Sequence, residues 1–134
     1  MYQFDFSIVR AGAPIVTLNA TGLAFNPVVR SLLGYPEKID VGFDERNNVI
    51  GVCAHQPGNE KPYGFEPRVK NGWVRISCRD FMRYLSAKTG FEFKPAKQFV
   101  AEYDQSIQML LIKVDEAHLK QKTSSEEDED EKNN

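Results

Sequence analysis

Cysteine, histidine and tryptophan are scarce in this chain, at two, two and one residues. Two cysteines, Cys53 and Cys78, are too few for a disulfide scaffold. Cys53-Ala54-His55 would set a thiol and an imidazole on one strand face, but a structural metal site needs two more ligands. Cys53 therefore reads as a small buried hydrophobe. His55 and His118 sit beside no nucleophile pattern, and Gly22 and Gly34 lack the spacing of a phosphate loop. The adjacent carboxylates Asp44-Glu45 belong to a turn. No catalytic site, cofactor or metal is expected, and the chain reads as non-enzymatic. The longest apolar runs are too short to span a bilayer, and no leader pattern opens the sequence. The expected setting is soluble, reducing and cytoplasmic, with no membrane partner.

What is present is enough apolar content, 41% of 134 residues, to bury one core without staples. The formal charge of -2 hides a strong asymmetry. Residues 126–131 supply six acids against Lys132 alone, whereas residues 1–123 hold 16 Lys+Arg against 13 Asp+Glu. Within that body, residues 68–97 carry eight bases against Asp80 and Glu92, a net of +6. Residues 37–66 carry six acids against three bases. One half is basic and the other is not.

The pattern along the chain predicts an α+β fold. Tyr2, Phe4, Phe6 and Ile8 alternate with polar residues, the period of a half-buried strand. Short strands follow at Ile15–Leu18 and Leu23–Phe25. Asn26-Pro27 opens a helix, with Asn as cap and Pro in the first turn, and Gly34 ends it. Ile39–Phe43 and Val49–Ala54 form a hairpin about the Asp44–Asn48 turn. Pro57, Gly58, Pro62, Gly64 and Pro67 mark 55–72 as a linking loop. Strand Trp73–Ser77, helix Cys78–Lys88, an alternating run Gln98–Tyr103 and a final arm Ile107–Val114 then restate the order of 15–54 over 73–114. A short helix is expected from Lys113. Residues 122–134 have too little apolar area to offset ordering and read as a disordered acidic tail. The expected body is 1–121, a small, mostly antiparallel β-barrel or sandwich of two β-α-β-β units plus the N-terminal strand.

The run Phe25-Asn26-Pro27-Val28-Val29-Arg30-Ser31-Leu32-Leu33-Gly34-Tyr35, followed by Lys38–Asp44, resembles the swapped-hairpin AbrB/SpoVT-type transcription factor unit. In that family a β-prone start leads into a short helix ending Leu-Gly, then a strand and a tight hairpin, and two chains interlock into one DNA-binding barrel. Thr89-Gly90 stands where Leu33-Gly34 stood, so the second half resembles the unit more loosely, as in the internal pair of MraZ-type regulators. The Asp-x-x-x-Arg signature of those regulators is missing, since Asp80 and Arg83 are only three apart.

The resemblance implies a transcriptional regulator that binds duplex DNA, and Arg30 takes the place of the family's helix arginine. Charge points the same way, because cations supply most DNA affinity by releasing counterions from phosphates. The candidate nucleic-acid-binding residues are Arg30, Arg68, Lys70, Arg75, Arg79, Arg83 and Lys88. Arg79 and Arg83 are four apart and share one helix face. Two other readings stand beside this one. The chain can be a protein–protein interaction module that uses the loop 55–72 or the acidic tail. It can also be a single-stranded nucleic-acid binder that stacks bases on Tyr63, Phe65 and Trp73. The tail can compete with DNA for the basic face, solubilise the chain or dock a basic partner. A homodimer is open too, because an internal repeat can satisfy within one chain what simpler members share between two.

Overall fold

Residues 12–119 are described by a computed structural model; the expected N-terminal strand at Tyr2–Ile8 and the acidic tail lie outside them. The elements run β1 (Ile15–Asn19), β2 (Gly22–Phe25), α1 (Pro27–Leu33), β3 (Lys38–Asp44), β4 (Val49–Ala54) and β5 (Tyr63–Gly64). A 3-10 turn at Glu66–Arg68 leads to β6 (Val69–Lys70), β7 (Trp73–Ser77) and α2 (Arg79–Thr89). Then come β8 (Lys97–Val100), β9 (Glu102–Asp104), β10 (Met109–Lys113) and a second 3-10 turn at Glu116–His118. That last turn, one residue triplet long, replaces the short helix expected from Lys113.

Local chemistry explains the helix ends. The Asn26 side-chain oxygen accepts from the Val29 N–H at 3.2 Å, satisfying a free donor of the first turn of α1. Gly34 (φ 81) and Gly90 (φ 79) stop α1 and α2 in the left-handed region, where a Cβ would be strained. The two hairpin turns match in the same way. Asp44 accepts from the N–H groups of Arg46 and Asn47 before Asn48 turns at φ 55, and Asp104 accepts from Ser106 before Gln108 turns at φ 51.

The strands form two antiparallel sheets of five, ordered β6-β7-β2-β1-β8 and β5-β3-β4-β10-β9. Val16, Phe25, Val74 and Phe99 line the inner face of the first, and Ile50, Val52, Leu110 and Ile112 that of the second. All eight belong to one apolar cluster, so the sheets share a single core. An α+β fold with antiparallel sheets agrees with the sequence. A closed barrel does not form among the described residues, because each sheet keeps two edge strands. The sheets are joined instead by chain that crosses between them. β8 and β9 lie in different sheets with only Ala101 between them, and β5 and β6 are split by the Glu66–Arg68 turn.

The segment 55–72 is not a loose linker. Phe65 is fully buried and meets Phe25 edge-on at 5.6 Å between ring centroids. Its N–H donates to the Glu37 carbonyl at 2.8 Å, and β5 pairs with the start of β3. The prolines and glycines that suggested a loop instead shape the bends by which the chain passes from one sheet to the other.

Candidate nucleic-acid interface

Along β7, Val74 and Ile76 point into the core, so the intervening Arg75 is driven to the outer face and is exposed. Lys70 stands opposite Trp73 in the β6–β7 hairpin, and Asn71 and Gly72 make the turn with positive φ. Arg68 leaves its 3-10 turn and donates from Nε to the Arg75 carbonyl at 3.0 Å. Pro67, Arg68, Lys70 and Arg75 thereby line a shallow cleft of about 420 Å³. Among the described residues, three cations and no carboxylate line it, which suits a phosphate.

Arg79 opens α2 two residues beyond Ser77, an exposed strand residue on the same face of β7 as Arg75. Met82 and Leu85 carry the buried side of this helix, and Arg79 and Arg83 are both exposed. Among the described residues Arg83 pairs with one acid, Asp80, at 3.9 Å, with the two side chains 78% and 100% exposed. An ion pair so open to water is screened and leaves the guanidinium available.

The other two candidates are otherwise engaged. Arg30 donates from Nε and Nη2 to the two carboxylate oxygens of Glu66, each at 2.8 Å, and from Nη1 to the Gly72 carbonyl at 3.5 Å. Its guanidinium also lies 5.2 Å from the Tyr35 ring centroid. This two-pronged pair ties α1 to both ends of segment 66–72. Arg30 thus braces the loop that carries Arg68 and Lys70. Lys88 lies 3.1 Å from Glu45 and beneath the Tyr84 ring, whose hydroxyl donates to Glu45 at 2.6 Å. It fastens α2 to the β3–β4 turn. Glu66 and Glu45, the carboxylates that absorb these two cations, carry no sequence signal, because their partners are 36 and 43 positions away.

The aromatic candidates for base stacking fare differently. Phe65 has no exposed ring, and Tyr63 and Trp73 are half-buried. Cys53, expected to be buried, is only half-buried on the outer face of β4 across from Asp40, and that partial burial, helped by the carboxylate, pushes its thiol up. Such a thiol is a poor nucleophile. His55 pairs through Nδ1 with Asp40 at 2.8 Å.

The ionic framework makes the fold acid-sensitive. Hydrogen bonds from Asn47, Tyr84, Arg30, Ser106 and His118 hold Asp44, Glu45, Glu66, Asp104 and Asp115 respectively below their ordinary values. The unfolded chain therefore binds more protons than the folded one as pH falls through the carboxylate range. The stabilisation is complete above about pH 5 and is lost progressively below about pH 4. Urea midpoints measured across pH test this, and a midpoint constant down to about pH 2.5 would rule it out.

Comparison with protein-family models, with curated proteins and with solved structures finds no match.

Proposed function

We propose that this protein is a non-enzymatic, duplex-DNA-binding transcriptional regulator whose cation-lined cleft and second helix engage the phosphate backbone. The observation that carries the reading is the convergence of Arg68, Lys70 and Arg75 on one exposed cleft with no carboxylate in its lining among the described residues, followed in the chain by the exposed Arg79 and Arg83. Phosphate contacts set affinity and register, and base readout then falls to whichever arginine reaches a groove edge.

The same reading takes the fold as an AbrB/SpoVT-type unit duplicated within one chain, as in MraZ-type regulators. Strand order supports it. One sheet sets β6-β7 beside β2-β1 and the other sets β3-β4 beside β10-β9, so a two-fold between β2 and β7 and between β4 and β10 would exchange β1-β2-α1-β3-β4 with β6-β7-α2-β9-β10.

The test is binding of the full chain to random-sequence duplex DNA, followed by fluorescence anisotropy from about 50 to about 300 mM salt. Five available cations give an expected log–log slope of about −4.5. Negligible binding at the lowest salt would remove the regulator reading.

A further inference from the structure

The outer face of the second sheet carries a groove of about 980 Å³, far from neutral in composition. Its central row is unusual. Gly42 on β3 stands opposite Gly51 on β4, which stands opposite Leu111 on β10. Gly51 is explained by the chain's own packing, because a Cβ there would lie 2.8 Å from the Met109 sulfur that folds over it. Gly42 is not. Its φ is ordinary for a strand, and no described atom lies within 4 Å of where its Cβ would be. Glycine inside a strand weakens it and commonly marks a place where another backbone or a ligand comes close. Around this bare backbone, Val49, Met109 and Leu111 give the groove an apolar floor, and methionine adapts its shape to a partner.

The rim decides what fits. Among the described residues of the lining, Asp40, Asp44 and Asp115 stand against Lys113 alone, and Lys113 is drawn 3.5 Å from Glu102. Hydrogen bonds hold Asp44 and Asp115 below the ordinary carboxylate range; at Asp40 burial pulls the other way but is outweighed by bonds from His55, Gln56 and Asn59. All three are ionised at neutral pH. A nucleic acid would be repelled, and a second copy seated face to face would set one acidic rim against another. The space takes on the order of two helical turns.

We propose that this groove docks a cationic amphipathic α-helix of a partner protein, its apolar side over Gly42, Gly51 and Leu111 and its lysines or arginines against Asp40, Asp44 and Asp115. The site is separate from the basic cleft and does not depend on DNA binding.

Two fluorescein-labelled peptides of about fourteen residues, with one leucine pattern and either lysine or glutamate elsewhere, test it against the full chain by anisotropy. The lysine peptide is expected to bind and the glutamate peptide to fail. Gly42→Val fills the bare site with a residue that favours strands, so the melting temperature should hold while lysine-peptide affinity drops about tenfold or more. The acidic run 126–131 is common to parent and variant, so its own attraction for lysine cancels in that comparison. Leu111→Lys, which adds a cation to the floor, should give the same loss if Gly42→Val disturbs folding. Equal binding of the two peptides, or both variants within about twofold of the parent, overturns the proposal. So does self-association in sedimentation that Gly42→Val abolishes, since the occupant would then be a second copy.

Discussion

Phe65→Ala is expected to cost about 3–5 kcal/mol of unfolding free energy, a large share of what a domain of this size has. The ring is fully buried, stacks edge-on against Phe25, and sits where the chain turns from β5 in one sheet towards β6 in the other. Truncation leaves a cavity that the neighbouring backbone cannot collapse into, because it is pinned by the Phe65 and Glu66 N–H bonds to Glu37 and Pro36 at 2.8 and 3.2 Å. Urea unfolding of parent and variant measures the difference directly. If 55–72 behaved as a linker, the same substitution would cost less than about 0.5 kcal/mol, as exposed positions do. A loss below about 1 kcal/mol would thus restore the linker reading and detach Arg68 and Lys70 from any fixed geometry.

That segment also marks the limit of what sequence conveys about this fold. Elements defined by their own residues are legible. Asn26-Pro27 and Gly34 bracket α1, and the Asp44 and Asp104 turns fall where their side chains bond to their own backbone. Elements defined by a distant partner are not. The alternating run Gln98–Tyr103 reads as one strand, yet the chain changes sheets at Ala101, whose N–H donates to the Pro14 carbonyl. Nothing local in Gln98–Tyr103 says which strand lies beside each half. Phe65 likewise sits among prolines and glycines, and only the fold, which sets it against Phe25 within the shared core, makes it a core residue. The basic patch follows the same rule. Its excess charge is a sum over residues and is visible in composition, whereas the carboxylates that occupy Arg30 and Lys88 are brought to them by the fold. Sequence thus conveys the sign of the surface but not which cations remain available on it.

Replacing both Arg79 and Arg83 by glutamate is expected to weaken duplex DNA binding by a factor on the order of 100 or more near 100 mM salt, with little effect on stability. Each guanidinium is exposed, so the fold loses only the screened contact to Asp80. Each removed phosphate contact also flattens the log–log salt dependence by about one, so the slope falls together with the affinity. Two comparisons separate contact from support. Lys88→Ala should leave both affinity and slope near the parent's, because that ammonium is already matched by Glu45 at 3.1 Å. Arg30→Met should lower affinity while leaving the slope unchanged, because its guanidinium braces Glu66 and Gly72 and thereby the strand that presents Lys70. Anisotropy titrations across salt read all three variants in one format. A double-glutamate variant that binds with the parent's affinity and slope would remove α2 from the interface. An Arg30→Met variant that loses a full unit of slope would return Arg30 from support to contact, since only a side chain that displaces counterions changes that number.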